Sequence, residues 1–126
     1  MKNILLYLSV IACLSFNACS KKTEVKPQTH TIKLTITTTT SDLTVSSFIH
    51  KKGVTGNTSL DIDKNVTSTY VLTYDLAAGD AVIFYATPDQ DCTIDYAFTR
   101  DGNPDFSAEH VPLNAGVLAA MEYDIK

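Results

Sequence analysis

An all-β fold, a two-layer antiparallel sandwich of about seven strands, is what this chain predicts, on three observations. Apolar residues recur every second position from His30 to the end, the period of a half-buried strand. Turn residues interrupt the runs every 8–12 residues or so, the spacing of a sandwich. Threonine and β-branched residues are abundant and suit a pleated surface with one covered face.

The elements follow in order. Ile32, Leu34 and Ile36 alternate with Lys and Thr and make the first strand. Leu43, Val45 and then Phe48 carry a second strand to the Lys51-Lys52-Gly53 turn. Leu60 and Ile62 predict a short third, and Val66, Tyr70, Leu72 and Tyr74 a longer fourth ending at Leu76-Ala77-Ala78-Gly79-Asp80. Residues 81–86 form an unbroken apolar run, Ala-Val-Ile-Phe-Tyr-Ala, which predicts a strand covered on both faces. After the turn cluster at residues 87–91, Cys92, Ile94, Tyr96 and Phe98 line one face of the next strand. Asp101-Gly102-Asn103-Pro104 then turns the chain into Phe106 and Ala108. Val117, Ala119, Met121, Tyr123 and Ile125 make the last strand, with Glu122 and Asp124 outward. Residues 113–121 are the only stretch whose pattern also accommodates a helix. The number and spacing of these strands predict an immunoglobulin-like sandwich.

The amino terminus reads differently. Met1-Lys2-Asn3 and an apolar run from Ile4 to Leu14 lead to Phe16-Asn17-Ala18-Cys19. A positive start, an apolar stretch of about 7–15 residues and small residues before the cut mark a secretory signal. The run breaks at Ser15 and Asn17, well short of the ~20 apolar residues of a spanning helix. The domain reading is a lipoprotein signal peptide at 1–18, a lipidated cysteine with a flexible tether at 19–29, and the β-sandwich at 30–126. Cys19 is the lipidation site, and more than one acyl chain is what makes such anchoring stable. The polar tether from Ser20 to Thr29 reaches at most roughly 35 Å at ~3.3–3.6 Å per residue. These features place the protein in the cell envelope, at the periplasmic face or the outer-membrane surface.

Charge and cysteine usage exclude whole classes of function. From His30 to Lys126 six basic residues face thirteen acidic ones, a net charge of −7. Nucleic-acid binding needs clustered Lys and Arg, so no nucleic acid is expected. Cys13 leaves with the leader and Cys19 is acylated, so Cys92 has no disulfide partner within the chain and reads as a small buried hydrophobe, with an intermolecular bridge as the alternative.

The search for reaction chemistry finds no enzyme and no cofactor. His30, His50 and His110 are isolated and lack ligand spacing. The serines within residues 41–47 have no Gly-x-Ser-x-Gly elbow around them. Asp101, Asn103 and Asp105 stand at positions 1, 3 and 5 of a calcium-loop start, where alternate oxygens converge on a hard cation. The pattern then breaks: Phe106 replaces the glycine and Pro112 the bidentate glutamate. These three residues are retained as metal candidates beside their reading as turn formers. Asp89 and Asp91 would join them only if their loop lay nearby. For a glycan, Tyr85 and Tyr123 are the exposed candidates, most of the other tyrosines being assigned to core packing.

Leu76-Ala77-Ala78-Gly79-Asp80-Ala81-Val82, then Cys92-Thr93-Ile94-Asp95-Tyr96 and Asp101-Gly102-Asn103, form a series of turns and strands that resembles the domains of the mycobacterial membrane protein small (MmpS) accessory family. The likeness covers about half of the domain; the paired cysteines and membrane helix of that family are absent. The leader, with Ala-Cys-Ser-Lys-Lys, is similar to Bacteroidetes-type lipoproteins. The resemblance implies a sandwich that assists envelope transport, and it implies no catalytic residue. The expected function is a lipid-anchored, non-enzymatic interaction or transport-accessory module with membrane and envelope-protein partners. The alternative is a surface lipoprotein that binds glycans.

Overall fold

The computed structural model describes residues 26–39 and 42–126. Cys19 and the leader lie outside the described residues. Eight strands follow one another: β1 (Thr29–Thr38), β2 (Leu43–His50), β3 (Asn57–Val66), β4 (Thr69–Ala77), β5 (Ala81–Pro88), β6 (Cys92–Arg100), β7 (Asn103–Leu113) and β8 (Ala119–Asp124). They form two antiparallel sheets of four, ordered β4-β1-β6-β7 and β3-β2-β5-β8. The fold is therefore the predicted β-sandwich, with eight strands because residues 103–113 form a full strand. It shares the two-sheet layering of immunoglobulin-like domains in an order of its own, since β1 and β2 lie in different sheets.

Period-two alternation builds the core. Ile32, Leu34 and Ile36 of β1 are fully buried, as are Phe84 of β5 and Ile94 of β6. Each such side chain contributes about 1.5–3 kcal/mol by leaving water. Phe84 packs edge-on to Tyr96 at 5.2 Å and lies 6.4 Å from Phe98, so the two sheets meet through aromatic rings.

Four details depart from the simple reading. In β2 the inward series is Leu43, Val45, Ser47 and Ile49, which turns Phe48 outward. Strict alternation from Val45 makes that unavoidable. In β5, Ile83 and Tyr85 are only half-buried, because a two-layer sandwich covers one face of a central strand and leaves the other to its neighbours. Phe48 supplies part of that cover, edge-on to Tyr85 at 5.5 Å. Ile62 of β3 is 50% exposed, since Leu60 and Val66 take the core positions. Val66 closes β3, so β4 starts at Thr69; β8 likewise starts at Ala119 and leaves Val117 exposed in the preceding loop.

Two edge strands are bulged. β3 slips register against β2 around Asp63, with φ 49°, and β7 slips against β6 around His110, with φ 55°. Side chains on the partner strands hold these positions. Ser46 Oγ accepts the Asp63 amide at 3.0 Å, and Asp95 Oδ1 accepts the His110 amide at 2.7 Å. Such bulges twist an edge away from further pairing. Between β6 and β7, Asp101 and Gly102 take φ 51° and 82°, the two left-handed positions of a type I′ hairpin.

Candidate functional site

One cleft grows out of β6. Residues 92, 94, 96, 98 and 100 share its inward face, so the chain's only arginine, Arg100, points between the sheets at their open end. A cleft of ≈ 340 Å³ lies there, lined by Arg100, Asp105, Phe106, Glu122, Tyr123, Asp124 and Lys126. Arg100 Nη2 donates to Asp105 Oδ2 at 2.8 Å and to the Tyr123 hydroxyl at 3.2 Å, and Nη1 reaches the Lys126 carbonyl at 3.4 Å. Its Nε is buried without a partner among the described residues.

Local backbone geometry positions each of these groups. The β7 register shift opposite Phe98 and Thr99 makes Asp105 the extra residue, which brings its carboxylate to Arg100. Tyr123 stacks on Phe98 with centroids 4.2 Å apart and rings within 8° of parallel. Phe106 stays 46% exposed at the cleft wall, 5.8 Å from Tyr96. Glu122 and Asp124, on the outward parity of β8, are exposed and enter no ion pair among the described residues. The arrangement offers a fixed guanidinium, two free carboxylates and an aromatic face, which can hydrogen-bond and stack a polar ligand.

The three metal candidates are sequence neighbours that the fold sends to different partners. Asp101 Oδ2 lies 2.7 Å from His30 Nδ1, and its Oδ1 accepts the Thr31 amide at 2.9 Å. The His30 contact, then the Thr31 amide, holds the Asp101 carboxyl below the usual range. Asn103 donates to the Asp101 carbonyl at 3.4 Å, and Asp105 belongs to Arg100. Among the described residues no three His, Cys, Asp or Glu side chains are grouped to hold a metal ion. Asp89 and Asp91 lie at the opposite end of the sandwich, where Asp91 Oδ1 accepts the Ala115 amide at 2.8 Å.

The remaining candidates separate likewise. His50 Nδ1 contacts Asn57 Oδ1 at 3.0 Å, in the sheet opposite the one that holds His30 and His110. Cys92 is a free thiol, half-buried against the core. Tyr85 is half-buried on the outer face of its sheet. Tyr123, read from the sequence as open to solvent, is buried at 9% exposure because the Phe98 ring covers it; only its hydroxyl serves the cleft.

Sequence reasoning missed Arg100, Phe106 and Glu122. The available signal was a lone arginine on the inward parity of β6, immediately before a hairpin turn. It also missed a buried polar chain. Tyr70 donates to Asp61 Oδ2 at 2.7 Å, which leaves its oxygen to accept from buried Ser47 at 3.1 Å. Burial, with Asp61 adding to it and Ser47 opposing it, pushes the Tyr70 hydroxyl up to about 12. The Tyr74 hydroxyl, also buried, has no partner among the described residues, and burial followed by Tyr70 raises its pKa. Among the described residues no helix is long and apolar enough to cross a membrane. The chain matches no protein family, no curated protein and no solved structure.

Proposed function

We propose that this chain is a lipid-anchored cell-envelope protein whose β-sandwich works without catalysis, as an interaction or transport-accessory module for another envelope protein. Acylation at Cys19 would tether it at its amino terminus. The observation that carries the partner reading is a surface at the end of the sandwich opposite the start of β1. There Val117 and Leu118 are 53% and 62% exposed. Backbone bonds join their loop to the β5–β6 turn, Gly116 N to the Pro88 carbonyl at 2.7 Å, and join that turn to Asp42. Exposed apolar side chains rimmed by polar residues are how association surfaces are commonly composed.

The test is crosslinking in intact cells followed by purification of the acylated protein in mild detergent. A discrete crosslinked protein is expected, lost from the Val117→Asp/Leu118→Asp variant while the fold persists by circular dichroism. Recovery as a lone monomer with the tether intact counts against the reading. Cys19→Ser should leave the membrane fraction; its retention there would contradict the anchor.

A second reading, glycan binding, is favoured by the Arg100 cleft. An exposed Phe106 ring beside Glu122 and Asp124 pairs a stacking face with acceptors for sugar hydroxyls. Titration calorimetry against a panel of neutral and acidic oligosaccharides tests it. Binding that Phe106→Ala abolishes supports the reading, and no heat from any sugar at millimolar concentration refutes it.

A further inference from the structure

The strand register gathers one set of turns around the start of the chain's first strand. Thr29 pairs with Ala77, His50 pairs with Asn57 and with Ala81, Ala81 pairs with Asp124, and Arg100 pairs with Asn103. The β2–β3 loop, residues 51–56, therefore sits at the end where the chain preceding β1 joins the domain. Within it Val54 N donates to the Lys51 carbonyl at 3.1 Å, and Gly53 takes φ 76°, the left-handed third position of a type II turn. The Lys52 amide is fixed on Asp80 Oδ1 at 3.0 Å. Lys51 and Lys52 are exposed, neither is ion-paired among the described residues, and Val54 at the tip is 56% exposed.

Charge is distributed along the long axis. Near the loop, Asp80 is committed to the amides of Lys52 and Ala77, and Asp101 to His30. Asp105 is committed to Arg100. Exposed Asp75 of β4 accepts the Thr31 hydroxyl at 2.7 Å. Glu122 and Asp124 belong to β8, two strands from β2 in the same sheet, roughly 10 Å from the Lys51 end of β2 at ~4.8 Å per strand. The opposite end holds Asp42, Asp63, Asp89, Asp91, Asp95 and Glu109 against Lys64 alone. An anionic surface would thus attract the loop and repel the other end.

We propose that residues 51–56 form a lipid-docking tip, with Lys51 and Lys52 on anionic head groups and Val54 inserted among them, so that the domain stands upright on its membrane. This rests on the anchor reading above. The acidic far end is then presented away from the bilayer, toward the partner.

The acylated protein is reconstituted into vesicles of phosphatidylcholine alone or with phosphatidylglycerol, and amide hydrogen exchange is followed by mass spectrometry. Peptides covering 51–56 should exchange several-fold more slowly on the anionic vesicles, while those covering 114–118 exchange alike on both. The protection should vanish at about 1 M salt, where the screening length is about 3 Å, and in Lys51→Glu/Lys52→Glu, which stays vesicle-bound. Equal loop exchange on both lipids, with the protein co-sedimenting, overturns the docking and leaves the anchor standing. Failure to co-sediment with either vesicle overturns the anchor, and the docking with it.

Discussion

Phe98 and Tyr123 stack face to face across the two sheets, 4.2 Å between centroids and 8° from parallel, and the Tyr123 hydroxyl receives Arg100 Nη2 at 3.2 Å. One residue thus closes the core and forms the wall of the cleft. The two roles separate by substitution. Tyr123→Phe keeps the ring and removes the acceptor, and should cost about 1 kcal/mol. Tyr123→Ala should cost about 3–5 kcal/mol, the range for removing a buried aromatic side chain. Urea midpoints at constant slope measure both.

The Ser47–Tyr70–Asp61 chain makes a spectroscopic prediction. Tyr70 should ionise near 12 instead of about 10, seen as a delayed tyrosinate step in ultraviolet absorbance. The neutral hydroxyl is favoured in the fold, so its stabilising share is complete below pH ~10 and is lost as the pH rises toward 12. Tyr70→Phe strands the buried Ser47 hydroxyl and should destabilise by about 1–3 kcal/mol.

Asp101 acts at the other end of the scale. His30 first, and the Thr31 amide second, favour its ionised form. Its contribution is present above the unfolded carboxylate value of about 3.9 and disappears as the pH falls through the lower folded value. A carboxyl-carbon titration by NMR should find the Asp101 midpoint below 3.9, and His30→Ala should raise it toward the ordinary value. An unchanged midpoint in that variant would remove His30 as the principal cause.

Asp80 ties three segments together. Its carboxylate accepts the Lys52 and Ala77 amides at 3.0 and 3.1 Å, and its carbonyl accepts the Ile125 amide at 2.9 Å. Asp80→Ala orphans the two amides at a buried site and should cost about 1–3 kcal/mol. The neighbouring Gly79, at φ 91°, would bring an added Cβ to 2.5 Å from Lys52 Cδ. That long side chain can swing away, so Gly79→Ala should cost mainly its backbone conformation, about 1–2 kcal/mol. Thermal melts of the two variants test the order.

The division between sequence and tertiary structure follows from the range of the interactions involved. Alternation is a local property of the chain, so Ile32, Leu34, Ile36, Ile94 and Phe98 declared their buried face in the sequence, and Asp101-Gly102 declared its hairpin. The all-β class and the turns were determined at that level, together with the motif that makes Cys19 the proposed anchor. Sheet partners and bulges are non-local. No pattern within β7 says that Asp105 is the extra residue, and none within β8 says that Phe98 covers Tyr123. Only the packed fold decided that Arg100, Asp105 and Phe106 share a cleft while Asp101 turns to His30. The reason is physical: period two assigns a side chain to a face, whereas which residue stands opposite depends on register across strands distant in sequence.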